Sequence, residues 1–126
     1  MKPLEKFGKF VIENFRDRAI DQHLMMQRGE LRSPAVEKLQ SRLASLPPEH
    51  KELVSTIVAD VIDVALHDIL FGLQDAHDRK LGIELTVDGT NIAGQSGMLQ
   101  GEPLGANGWI ANFSKYPPSS MLAGQI

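Results

Sequence analysis

The hydrophobic positions of the chain are densest between Pro47 and Asp78, where the sequence reads PPEHKELVSTIVADVIDVALHDILFGLQDAHD. Placed at about 100° per residue, the apolar side chains form a wide arc and the polar ones a narrow stripe. The middle of the arc contains Val54, Val58, Val61, Ile62, Ala65, Ile69 and Leu73, and the stripe contains Thr56, Asp60, Asp63, His67, Gln74 and Asp78. A helix that is apolar over most of its circumference belongs to a domain core or to a subunit interface. We therefore predict one long central helix, covered by the neighbouring segments and by a second copy of the chain.

The segments before this helix predict two shorter helices. The first spans Pro3 to about Arg28, and its apolar residues recur at helical spacing. Those residues are Leu4, Phe7, Val11 and Phe15. The second spans Pro34 to about Leu46, with Ser33 as its N-cap and Gln40 on its water-facing side. The predicted buried stripe of this second helix consists of Val36, Leu39, Leu43 and Leu46.

The character of the chain changes after the central helix. Residues 82–94 read GIELTVDGTNIAG, and the alternation of apolar and polar side chains predicts a half-buried strand. The Asp-Gly dipeptide at 88–89 is typical of a type I′ hairpin turn, which needs positive φ at both positions. The predicted cross-strand pairs are Val87 with Thr90 and Leu85 with Ile92. Both pairs then lie on one face of the hairpin, so the turn and the hydrophobic pattern agree.

The last part of the chain combines a glycine-rich stretch with aromatic residues. Residues 95–107 are predicted to form a loop, and a short helix follows from about Trp109. Trp109, Phe113 and Tyr116 suit either core packing or an interface anchor, and we predict that they contribute to an interaction. The fold class is therefore α+β and mainly α: one domain over residues 1–116, followed by a flexible tail over 117–126.

Composition narrows the possible partners. The 126 residues are 42% hydrophobic and carry a net charge of −3, so neither wholesale disorder nor attraction to nucleic acid or anionic lipid is expected. The absence of cysteine excludes disulfides and thiolate metal sites. Acidic residues interrupt the apolar run of the central helix well before the length of a membrane span. We expect a cytoplasmic protein, because the N-terminal sequence lacks the apolar run of a secretory signal.

The strongest candidate for chemistry is the pair Asp63 and His67. These residues are four apart on one helix face, a spacing that can present two ligands to a metal ion. The alternative is structural, with Asp63 orienting or ion-pairing His67 at a half-buried surface. His67-Asp68 also resembles, in two letters, the His-Asp dyad of metal-dependent phosphohydrolases. A small metal-dependent hydrolase or ligand-binding domain is therefore the alternative function, with no catalytic residue or cofactor assigned.

The end of the chain reads SGMLQGEPLGANGWIANFSKYPP, in which a glycine-rich loop precedes Gly108-Trp109-Ile110 and Phe113-Ser114-Lys115-Tyr116. This pattern resembles one in small bacterial proteins, some of which look like immunity partners of bacterial toxins. The resemblance covers the last quarter of the chain and implies a non-enzymatic bacterial protein that acts by protein–protein interaction. We also expect a homodimer, because the apolar arc of the central helix is wide relative to the cover that the rest of the chain can supply.

Overall fold

The computed structural model describes residues 1–119, which are mainly helical with one small antiparallel hairpin. This confirms a mainly α fold with a β-hairpin, although the number of helices differs from the prediction. The predicted tail falls mostly on residues 120–126, which lie outside the described residues. In chain order the elements are α1 (Pro3–Val11), a π-helical turn (Ile12–Arg16), α2 (Asp17–Gln27), α3 (Pro34–Ala44), α4 (Pro48–Asp78), β1 (Thr86–Val87), β2 (Thr90–Asn91), α5 (Ile92–Ser96), a 3-10 turn (Leu99–Gly101) and α6 (Trp109–Phe113).

The predicted central helix is confirmed as α4, which begins with Pro48 in its first turn and ends at Asp78. Its buried face differs from the predicted one. The buried side chains are Asp63, Leu66, Leu70, Gln74 and Ala76, whereas Val61, Ala65 and Ile69 of the predicted arc are exposed. The neighbouring segments of the same chain therefore leave these three positions uncovered, and cover by a second copy stays a prediction. Within residues 1–119, α4 and every other helix fall short of the length and apolarity that crossing a membrane requires.

The core lies between α4, the first helical segment and the elements that follow α4. Four of its apolar side chains are almost completely buried: Ile12, Leu70, Ile92 and Leu99. Gln74 reaches this core because its side-chain oxygen accepts a hydrogen bond from the Leu99 backbone N–H at 2.9 Å. A polar residue is thus buried with a partner, as a buried polar group requires.

Trp109 completes the core by packing against α1. Its ring lies directly over Gly8, and Phe7 meets it edge to face with ring centroids 5.8 Å apart. α6 begins at Trp109, as predicted, and buries both Trp109 and Ile110. The absence of a side chain at Gly8 is what allows the indole to approach the helix so closely.

The first predicted helix contains a π turn that the sequence did not predict. α1 continues through the π turn into α2 without a break in helical backbone angles. The extra residue in this turn changes which side chains face inward. Phe15, predicted on the buried face, is exposed, and Ile12 is buried instead. Gly29 follows the end of α2 with a φ of 70°, a left-handed conformation that suits glycine after a helix.

α3 departs from the prediction at three positions. Gln40, expected to face water, is buried, and its side chain both donates to and accepts from the backbone of Leu31 at 2.9 Å. Leu39, expected in the buried stripe, is exposed. Ser33 precedes Pro34 but makes no side-chain capping hydrogen bond. The α2–α3 loop is therefore held by a side-chain amide rather than by the predicted cap.

The hairpin has the predicted register. Val87 pairs with Thr90, and the Ile92 N–H donates to the Leu85 carbonyl at 3.0 Å. Asp88 and Gly89 have φ values of 50° and 80°, as a type I′ turn needs. The strands are only two residues long, because α5 begins directly at Ile92. Its last residues, 95 and 96, fall in the segment predicted to be a loop. Asn91 caps this short helix by accepting from the Gly94 N–H at 2.8 Å.

The close contact between α1 and the indole leads to a stability prediction. An alanine Cβ at position 8 would lie 2.4 Å from Trp109 ring atoms, so we expect Gly8→Ala to lower the free energy of unfolding by about 1–3 kcal/mol. Gly72→Ala is the matched control, because a Cβ on this other helical glycine meets nothing within 4 Å. There alanine should raise stability by about 0.5–1 kcal/mol through helix propensity. Urea denaturation measures both, and equal effects at the two positions would contradict the packing.

A second prediction concerns the contact between α2 and α4. Nε2 of His23 lies 2.9 Å from Ser55 Oγ, and burial lowers the pKa of His23 below the ordinary histidine value of about 6.5. The unfolded chain therefore binds a proton more readily than the folded one, so stability should fall as the pH drops through 6.5 and below. His23→Gln keeps a hydrogen-bonding side chain without this titration. Denaturation at several pH values should show a smaller pH dependence for the variant than for the original chain.

Candidate interaction surface

An apolar row runs along the exposed side of α4. Its members recur every four residues, and each of them is exposed. We name these residues the α4 ridge: Leu53, Ile57, Val61, Ala65 and Ile69. Rows at this spacing are the ridges that pack into the grooves of a neighbouring helix. At 1.5 Å per residue the ridge extends for about 24 Å.

A groove of about 470 Å³ lies beside the C-terminal half of the ridge, between α4 and the first helical segment. We name it the aromatic groove, and its lining includes Phe7, Phe10, Phe15, Ile69, Leu73 and Leu85. The rings of Phe10 and Phe15 meet edge to face, with centroids 5.9 Å apart. Residues five apart lie about 140° apart on a regular α-helix, so they would not normally meet. The π turn between them brings these two rings onto the same side.

Arg16 connects this groove to the interior. The residue lines the groove, yet only 1% of it is exposed. Nε and Nη2 donate to the two carboxylate oxygens of Asp63 at 2.6 and 3.1 Å. The remaining N–H groups donate to Ser114 Oγ and to the carbonyls of Tyr116 and Pro117. All five guanidinium N–H groups are therefore engaged, and Arg16 offers no donor to a molecule in the groove.

The same network holds the C-terminal segment against the helices. The Asp17 carboxylate accepts from the Ser114 hydroxyl and from the Lys115 N–H. The Ser119 N–H donates to Asp63 at 3.1 Å. Residues 117–119 are thus attached to the domain, and the predicted flexible tail over 117–126 stays a prediction because most of it lies outside the described residues. The attraction within the ion pair and the additional hydrogen bonds together offset the desolvation cost of burying these charges.

Asp63 and His67 do not act as a pair. Both Asp63 oxygens face Arg16 in the interior, so the predicted ion pair with His67 is wrong. His67 lies at the surface, with Nδ1 3.2 Å from Asp68 and its ring stacked on Phe71. Within residues 1–119 there is no group of three or more histidine or acidic side chains arranged to hold a metal ion. A spacing of four residues along the helix made a contact between Asp63 and His67 plausible. The Asp63 carboxylate instead binds the buried Arg16 from another helical segment.

The three predicted interaction residues have different surroundings. Trp109 is buried in the core, and Phe113 packs against the core while half-buried. Tyr116 is half-buried and donates its hydroxyl to Asp21, which raises the pKa of Tyr116. Hydrogen bonds from Lys115 and Tyr116 lower the pKa of Asp21. An interaction role for these three residues stays a prediction. Two other aromatic residues, Phe10 and Phe15, line the groove beside the ridge and are more than half exposed.

No protein-family model, curated protein or solved structure matches the chain. The resemblance to small bacterial proteins therefore stays a prediction from the C-terminal sequence. The function has to be inferred from the residues of this chain.

The buried ion pair gives a stability prediction. Asp63→Ala leaves the Arg16 guanidinium buried without its carboxylate, so the free energy of unfolding should fall by about 3–5 kcal/mol. Glu13→Ala is the control, because it removes an exposed ion pair to Lys9 and should cost less than about 1 kcal/mol. Urea denaturation measures both variants. Similar losses for the two would show that Asp63 does not stabilise the fold in this way.

Proposed function

We propose that this protein acts by binding another protein chain through the α4 ridge and the aromatic groove. The observation that carries the proposal is the amount of apolar surface left open there. Six large side chains are each at least 51% exposed: Phe10, Phe15, Leu53, Ile57, Val61 and Ile69. At about 100 Å² per half-exposed side chain of this size, they present on the order of 600 Å². That is the upper end of the roughly 300–600 Å² of the largest apolar patch on a typical monomer.

The chemistry of the groove supports a protein partner over a small molecule. Ligand pockets usually combine an apolar lining with a few placed polar groups that orient the ligand. The aromatic groove has an apolar lining apart from Arg16, whose donors are all engaged. A row of apolar side chains from a helix needs no such polar group, and helices bind apolar grooves in this way. The groove therefore suits a helix better than a polar metabolite.

The predictions from the sequence agree with this proposal. A homodimer would bury the same surface, and a toxin-immunity role would use it for a different protein. The resemblance of the C-terminal sequence favours a bacterial and non-enzymatic protein of that kind. The alternative, a metal-dependent hydrolase using Asp63 and His67, loses support because Asp63 is bound to Arg16.

Copurification from the native cell tests the proposal. A tagged chain should retain a partner, either another protein or an untagged copy of itself, and Val61→Lys should abolish this retention by placing a charge in an apolar contact. Thr56→Lys is the matched control, because Thr56 is exposed on α4 about 140° away around the helix.

Circular dichroism should show the same helical content for both variants, since both positions are exposed. Equal retention by Val61→Lys and the original chain, or no retained partner with the original chain, would contradict the proposal.

A further inference from the structure

The two halves of the exposed α4 face differ in their relation to the aromatic groove. Leu53, Ile57 and Val61 form a projecting row on the N-terminal half, where the aromatic groove does not extend. The groove itself lies beside the C-terminal half, along Ile69 and Leu73. Ala65, the smallest member of the ridge, follows the projecting row and lines the near end of the groove. An exposed row and a groove beside the same helix can fit a second copy of that surface rotated by 180°.

We propose that the aromatic groove binds a second copy of this chain, with the two α4 helices crossing in antiparallel directions at Ala65 about a two-fold axis. This rests on the proposed binding function and names its partner. A two-fold contact uses the same patch on both chains, so the patch must be self-complementary. Antiparallel pairing about Ala65 places Val61 of the second copy beside Ile69, and Ile57 of the second copy beside Leu73. The projecting row of each chain then enters the recess of the other.

The geometry of helix packing is compatible with this crossing. Rows at four-residue spacing pack into one another at a crossing angle of about −50°, the commonest class for helices in globular proteins. Interaxial distances are then roughly 8–10 Å, and small side chains at the contact allow the shorter values. A crossing near Ala65 leaves room for Phe10 and Phe15 of each chain to cover the diverging N-terminal half of the other α4.

The exposed area also fits a dimer. A stable interface buries roughly 800 Å² on each partner, of which somewhat more than half is apolar. The ridge and the groove present on the order of 600 Å² of apolar side chain per chain. A second copy would therefore bury the apolar patch nearly completely, with the remaining contact area supplied by the polar rim.

A purified chain tests the inference without any other protein. Sedimentation across micromolar concentrations should give twice the 13.9 kDa chain mass. Val61→Lys should raise the dimer dissociation constant by about a hundredfold, because each lysine then places a charge against the apolar Ile69 of the other copy. Thr56→Lys should leave the constant unchanged.

Disulfide trapping tests the crossing point itself, since the chain has no cysteine of its own. Ala65→Cys should form an intermolecular disulfide readily under oxidised glutathione, because the two copies of this position face each other across the axis. Thr56→Cys, on the opposite side of α4, should form it far more slowly. Helical content should match the original chain in both variants, as both positions are exposed.

The outcomes separate this inference from the proposed function. A chain that stays monomeric at all concentrations overturns the proposal that the partner is a second copy. The proposed binding function would still be supported if the copurification retained another protein and Val61→Lys abolished this retention. A dimer in which Thr56→Cys is trapped as fast as Ala65→Cys overturns the proposed crossing. A dimer that Val61→Lys dissociates and Ala65→Cys traps supports the inference.

Discussion

The rotation of α4 about its own axis depends on the ion pair between Arg16 and Asp63. Asp63 is buried on the same face of α4 as Gln74, about three turns later, and each side chain has a specific partner in the interior. A buried carboxylate without its guanidinium would cost several kcal/mol, so the helix cannot turn this face toward water. The apolar positions on the other side are consequently turned outward. The exposed ridge is thus a result of the polar contacts that hold α4 in place.

Arg16 owes its position to the π turn. The extra residue there directs Arg16 inward to α4 and the C-terminal segment, and it directs Phe15 outward beside Phe10. One local irregularity therefore forms both the polar centre of the domain and the aromatic wall of the groove. The arginine stem also lines this groove while its head group is engaged elsewhere. Stability and binding surface consequently share residues, and a variant at Arg16 would alter both.

A surface of this kind has consequences for how the chain works. An apolar face on the order of 600 Å² is unfavourable in water, so the isolated chain gains free energy by covering it. In the proposed dimer, the projecting row and the groove beside the same helix would form the two halves of a self-complementary contact. The same features would also serve a different protein that offers a comparable helix. Whether a second copy or a different protein binds there depends on how closely each packs against α4 around Ala65.

The sequence by itself determined the elements and much of their local geometry. Prolines at the first turn, the helical spacing of apolar residues and the Asp-Gly turn predicted α4, the hairpin register and α6, because these signals act between residues close in the chain. It also supplied three apolar positions of the ridge, Val61, Ala65 and Ile69, although as part of a covered arc. Only the tertiary structure decided which side of α4 faces inward, that Asp63 pairs with Arg16, and that Phe10 and Phe15 stay exposed while Trp109 is buried. Periodicity shows which side chains share a face, but the burial of that face depends on partners supplied by distant segments, and Arg16 lies 47 residues from Asp63.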